Sequence, residues 1–561
     1  MAAPQKPTDW VAISDGYTRR LMAIEMKYAP EAGSAEGLVE YDTRIVQPTL
    51  ANEDAERKET AALIAEFKAA IPQQKYREVG QDLELLVNRV ELRQRAEDYV
   101  RSHKVPYLNP SAMVLAGVRM LLDDQTPLPR RQAAVARIRK YAGMDEGYQP
   151  LTDILRQRVG EQMAKPGVVY PTRTQIMTEV GRNATYIEAI SELLTRQGLK
   201  DWQEPMAHLA TQLTEYDEWT LRTVLPKARP DFRLSDEEYA LNLQESGIDV
   251  APDRLIATAH QAFAEIQNEM KPLAEQIAKQ RKLPSSDYRD VIRDLKKEQV
   301  IGNATLLLYQ GRSKVIQNLT KNRGILTMPK HSARIRLGSA VETALQPEPH
   351  VVLPPFLNRI AERGEFVLPL AAAAGYDDFT FDAASWTLIA HDAIPGHVLQ
   401  FESMLQQGAS LARVKYAFNN TTFEGWGLYA AFLIWPDMPP EGQLMSLDQR
   451  LLGAARMFLD PELQTGKIQP DDAYRVLEQD VVLSQAFARH EVERYTYGAP
   501  GQAISHYHGF STLLALRKET EAALGRKFNQ ARFHDFILAQ GFLPLDVTRK
   551  AVLEEFVTNN N

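Results

Sequence analysis

Through about residue 325 the chain repeats apolar positions at a helical period. Leu63, Ile64, Phe67 and Ile71 follow the acidic opening Asn52-Glu53-Asp54, and Leu83, Leu86, Val87, Val90 and Leu92 recur within 82–100. An apolar side chain every three or four positions lays one stripe of a helix on a core. The same spacing predicts helices over 174–196, 201–225, 252–277 and 287–322, with prolines at 106–110, 127–129 and 226–230 marking the loops.

The pattern changes between Thr327 and Phe381. Prolines cluster at 329, 347, 349, 354, 355 and 369, and Ala333-Arg334-Ile335-Arg336-Leu337 alternates polar with apolar, as a half-buried strand does. His350–Leu353 predicts a second short strand, and the two read as a hairpin at the edge of a cleft. An extended peptide adding to such an edge is the more specialised reading. From Asp382 the helical period returns. Asp382 is the expected N-cap of a helix carrying Trp386, Leu388, Ile389 and His391, and Thr421 or Thr422 the expected cap of one holding Glu424 in its first turn. Further helices are predicted over 441–459, 470–495, 511–524, 530–539 and 547–557. The fold class is therefore mainly α, with a minor β component near 327–381. The expected division is 1–326 and 327–561, or a single continuous domain.

Composition narrows the function. With 561 residues, 44% of them hydrophobic and 25% charged, the chain has ample material for a large core. Its net charge of -8 and the absence of a long basic run argue against nucleic acid as a partner. The apolar stretch Phe366–Ala374 is short of the ~20 residues that span a bilayer. The opening Met1-Ala2-Ala3-Pro4-Gln5-Lys6 has no basic and apolar leader pattern. It suits a periplasmic or secreted chain whose signal peptide was removed as well as a cytoplasmic one. There is no cysteine, so a metal would have to be held by histidine and carboxylate.

His391-Asp392-Ala393-Ile394-Pro395-Gly396-His397 is the segment that carries chemistry, with Glu424 following 27 residues after His397. Two histidines and a glutamate form the ligand set of an open zinc site, and an acid after the first histidine is the place of a general base. In a straight helix, six steps leave the second ring about a third of a turn away from the first. Pro395 and Gly396 predict a break that swings His397 back beside His391. The plain alternative is two helices, a turn and two unrelated histidines. Downstream, Tyr495, Tyr497, His506, Tyr507 and His508 crowd around Pro500-Gly501-Gln502. His506, Tyr507 and His508 are candidate oxyanion donors. Arg494, Tyr497 and Gln502 are candidate substrate-binding groups, although Arg494 paired with Glu491 or Glu493 is the simpler reading.

These segments resemble the bacterial "domain of unknown function 885" family of gluzincin-like zinc peptidases. The likeness runs through Tyr376-Asp377-Asp378-Phe379, HDAIPGHVLQF, FEGWGLY, RLLGAARMFLDPELQTG, EVERYTYGAPGQA and FHDFILAQGFLPL. The resemblance implies a helical, deep-clefted fold similar to relatives of thimet oligopeptidase and Taq carboxypeptidase. It also implies one zinc ion on His391, His397 and Glu424. Asp392 stands where the family usually has glutamate, His506-Tyr507-His508 where it reads Tyr-x-Tyr, and Val398 where it often has a polar residue. The expected function is a zinc-dependent hydrolase, a metallopeptidase or amidase acting on a small peptide or amide. The alternatives are a zinc enzyme redirected to a specialised non-peptide substrate, or a catalytically degenerate binding protein.

Overall fold

A computed structural model describes residues 9–359, 363–370 and 375–560. Met1–Lys6 and the end of the apolar stretch Phe366–Ala374 lie outside the described residues. The chain is mainly α-helical, with one small sheet. No helix among the described residues is long and apolar enough to cross a membrane.

The chain divides into two compact units: Ala12–Phe232 with Pro354–Glu362, and Met1–Val11 with Arg233–Leu353 and Arg363–Asn561. The division falls at Phe232/Arg233, not at residue 326. The proline cluster marks a change of element type, whereas the core that holds Arg363–Asn561 also recruits the helices from Arg233 onward.

In the first unit, Thr49 Oγ1 accepts from the Asn52 amide at 3.2 Å and starts the helix Leu50–Ala70. That start lies before the predicted Asn52-Glu53-Asp54 opening, because the threonine satisfies an otherwise orphaned N–H. The buried Leu63, Ile64 and Phe67 face Leu83, Leu86, Val87 and Val90 of the helix Arg77–His103. Helices Arg173–Arg196 and Gln203–Thr223 follow the predicted period, the former capped by Thr172.

In the second unit, α1 (Pro252–Arg281) comes first. The single helix expected over 287–322 is two, Tyr288–Leu295 and α2 (Asn303–Asn322). Gly302, at φ 58°, supplies the left-handed residue between them. The sheet has the order β1 (Arg334–Leu337), β3 (Glu365–Leu368), β2 (His350–Val352). β1 pairs parallel with β3, and β2 pairs antiparallel with it. The two predicted strands are thus the edges and not a hairpin, with an unpredicted strand between them. Phe366, Val367 and Leu368 are fully buried, and the continuous apolar run reflects cover on both faces. The buried Glu365 carboxylate accepts from Arg334 at 2.8 Å and Arg336 at 2.6 Å.

α3 (Asp382–Leu388), α4 (His397–Gln407), α5 (Asn420–Ile434), α6 (Pro440–Gln464), α7 (Ser505–Leu524) and α8 (Gln530–Ala539) complete the frame of the site. Asp382 is not a cap. It opens α3 and pairs with Arg312 at 2.7 Å, while the Arg312 guanidinium lies 3.8 Å from the Trp386 ring centroid. α5 is capped by Asn419, which accepts from the Thr422 amide at 2.9 Å, so Glu424 stands beyond the first four helical residues. The predicted helix 470–495 is interrupted after Asp480, where Val482 takes φ 60° and its carbonyl accepts from Lys296. α6 packs along α1, with Phe458 edge-on to Phe263 at 5.5 Å. Burying such a ring contributes about 1.5–3 kcal/mol.

Candidate metal centre

Between the two histidines the chain widens and then restarts. α3 ends in a π turn over Ile389–Ala393, a bend follows, and α4 begins at His397 itself. The Ile394–Pro395 peptide is cis. A Cβ on Gly396 would lie 1.7 Å from the His391 carbonyl oxygen, so only glycine fits the bend. Trp426 Nε1 donates to the Pro395 carbonyl at 3.0 Å and ties the bend to α5. The plain alternative was right that there are two helices with a turn between them, yet the histidines meet. Their ring centroids are 4.8 Å apart, at 88° to one another.

Glycines bring the other side chains in. A Cβ on Gly427 would come within 2.6 Å of the His391 ring. Where α5 crosses α7, a Cβ on Gly509 would sit 2.0 Å from the Thr421 carbonyl oxygen, and one on Gly425 would sit 2.6 Å from the Gly509 Cα. The backbones therefore touch, and His506, one turn before Gly509, reaches Glu424.

Glu424 Oε2 lies 3.5 Å from His391 Nε2, 3.7 Å from His397 Nε2 and 3.1 Å from His506 Nε2. One ligand atom from each of His391, His397 and Glu424 lies within 4.8 Å of the others. An ion about 2.1 Å from each of its tetrahedral donors sets their separations at roughly 3.4 Å, close to the two histidine–glutamate distances. The donor set, two imidazole nitrogens and a carboxylate oxygen without thiolate, fits an open zinc site. Nδ1 of His397 faces Gln400 Oε1 at 3.3 Å, and its ring stacks on Phe423 at 3.7 Å. His391 Nδ1 is buried without a hydrogen-bond partner.

The electrostatics are those of a dry pocket around one anion. Burial pushes the Glu424 carboxyl up, but His506, His391 and His397 outweigh it and hold it well below its usual range. Burial pulls His391 down and His506 down to about 4, against the attraction of Glu424. Burial also pushes the Asp392 carboxyl up to about 7, with His397 opposing and Glu424 adding to the rise.

The remaining predicted residues separate. His506 Nδ1 faces the Ala503 carbonyl at 3.2 Å, and its other nitrogen faces Glu424. His508, two residues on, faces another side of α7, where Asp249 acts on it and burial lowers its pKa. Tyr507 turns toward Phe510, at 5.6 Å between centroids, and toward Arg450. Arg494 Nε donates to Gln502 Oε1 at 3.1 Å, and its NH1 lies 3.6 Å from Glu491, so the paired reading of this arginine describes its contacts. Tyr497 is half-buried in the same turn. Arg456 holds Glu491 through two hydrogen bonds, and its charge also acts on His391 and His506. Sequence reasoning passed over Arg456, Gly427 and Gly509. Nothing local marked them: Gly509 lies before the helix predicted from 511, and Gly427 and Arg456 act on side chains far along the sequence.

Comparison with known proteins gives one family and two close folds. No curated protein matches the chain. A solved structure from Shewanella oneidensis, described as a "putative lipoprotein of unknown function", superposes with a TM-score of 0.72 at 17% identity, covering 98% of this chain and 100% of that one. A second, described as a "putative lipoprotein" from Colwellia psychrerythraea, gives a TM-score of 0.78 at 15% identity, covering 98% and 99%. At these identities the likeness is one of fold. The family model for "Bacterial protein of unknown function (DUF885)" matches residues 30–552, and the chain belongs to that family.

Proposed function

We propose that this protein is a zinc-dependent hydrolase that cleaves an amide bond in a small peptide or related substrate. The observation that carries the reading is the convergence of His391, His397 and Glu424 from three separate stretches of backbone onto one focus. When bound there, zinc supplies Lewis-acid polarisation and an acidified water. The chain's own residues supply the rest. Asp392, directly after the first ligand, takes and returns a proton as the general base. His506, 3.1 Å from Glu424, orients that carboxylate. Glu424 is 18% exposed, whereas His391 is 8% and His397 2%, so the open side of the site is the carboxylate side.

The test is metal analysis of the purified chain followed by a peptide-library cleavage assay. One zinc per chain and turnover of short peptides are expected. A metal-free chain, or a fully loaded one that turns over no peptide or amide, would reject the reading.

A further inference from the structure

Arg450 is a buried cation without a counter-ion. It lies on α6, is 8% exposed, and its NH2 is buried with no hydrogen-bond partner. Its only hydrogen bond within the described residues is a long one, from Nε to the Ser446 carbonyl at 3.5 Å. Other arginines in the interior have partners, and Arg413 donates to Gln540 Oε1 at 3.1 Å. Arg456 grips Glu491 through two nitrogens, and Arg137 donates to the carbonyls of Gly117 and Tyr41. Glu269, exposed on α1, acts on Arg450 from a distance and makes no ion pair with it. A guanidinium out of water and without an anion is costly.

Two further polar groups lie beside it. Ser446, one helical turn before Arg450, has a buried hydroxyl without a partner. Tyr507, brought against α6 where Gly453 leaves room for its Cβ, comes near enough for its charge state and that of Arg450 to act on each other. Phe432 and Trp435 close the sides, with ring centroids 5.9 and 5.6 Å from the guanidinium carbon. Trp435 is held in place by donating to the Gln443 carbonyl at 3.1 Å. The guanidinium and both hydroxyls can donate, and none of the three offers a negative charge. Burial pulls the guanidinium down to about 10, the direction that a bound anion would reverse.

We propose that Arg450, Ser446 and Tyr507 bind a small oxyanion, the carboxylate or phosphate group of a ligand. The guanidinium fork supplies two parallel donors matched to such a group, and the hydroxyls take its remaining lone pairs. The proposal uses none of His391, His397 and Glu424 and does not depend on the zinc reading.

Calorimetric titration of the full chain with sodium acetate and with sodium phosphate, at constant ionic strength, tests it. Saturable binding of at least one anion is expected, and the preferred one identifies the source chemistry. Arg450→Gln should weaken it at least tenfold, with Ser446→Ala and Tyr507→Phe each weakening it several-fold. If Arg450→Gln fails to fold, the two hydroxyl variants decide. No saturable binding to the parent chain, unchanged affinity in Arg450→Gln, or unchanged affinity in both hydroxyl variants overturns the proposal.

Discussion

The His391 imidazole rests against the Cα of Gly427, where a methyl group would come within 2.6 Å of its Cε1 and Nε2. The ring's position is thus set by the absence of a side chain on the neighbouring helix. Gly427→Ala should turn the ring off the focus it shares with His397 and Glu424. Under the proposed function, that loss of support should weaken metal binding about 10–100-fold. A zinc titration of the variant, with circular dichroism to confirm folding, checks this; undiminished affinity would show that the ring has room to move.

Gly509 is the second place where a hydrogen atom is structural. Its would-be Cβ lies 2.0 Å from the Thr421 carbonyl oxygen and 2.8 Å from the Gly425 Cα. Gly509→Ala must push α7 off α5, and overpacking of this kind costs about 1–3 kcal/mol. Urea unfolding should show that loss. A variant as stable as the parent would mean that the crossing relaxes freely.

Under the proposed function, Asp392→Asn should retain zinc but lose turnover by about 10²–10⁴-fold, the usual contribution of a positioned general base. Parallel metal analysis and kinetics separate the two effects. Equal turnover in the variant would remove Asp392 from the mechanism.

Stability should fall as pH rises through neutrality, and Asp448 contributes to the fall. Its Oδ1 is buried without a partner, and burial, against the pull of Lys296, pushes the carboxyl up to about 8. In the unfolded chain it titrates near its usual ~3.9. The folded form therefore keeps a proton that the unfolded form has released, and this contribution is lost as pH climbs from about 4 toward 8. His534, pulled down to about 3 by burial, has the opposite slope, losing stability as pH falls below its unfolded ~6.5. Denaturant unfolding at pH 6.5 and 8.0 keeps the His534 contribution nearly constant. The parent should be weaker at pH 8.0, and Asp448→Asn should narrow the gap; an unchanged gap would acquit Asp448.

The helices and the ligand-type residues were legible because each leaves a local mark: an apolar stripe, or a rare set of side chains at an odd spacing. His534 is structural, with both its nitrogens engaged, by the Ile325 carbonyl at 2.7 Å and the Tyr429 hydroxyl at 2.9 Å. What failed to show depended on distant neighbours. β3 reads as a plain apolar run because both of its faces are covered. α7 begins at Ser505, six residues before the predicted Ser511. Its buried face opens with Ser505, His506 and Gly509, polar or small because they meet Glu424 and α5, so the apolar period is missing where the site is. Gly427 matters through a ring 36 positions away in the chain, which no local pattern records.

His391, His397 and Glu424 belong to neighbouring elements, whereas His506 arrives from a helix near the C-terminus. During synthesis, a chelating segment would leave the ribosome complete well before the helix that backs it. An ion captured then would staple α4 to α5 while the rest of the chain was still emerging. Under the proposed function, zinc would accordingly act as an assembly aid, and refolding yield from urea would depend on it more steeply than the finished protein's melting temperature does. Equal yields with zinc and with chelator would show that the backbone reaches this arrangement unaided.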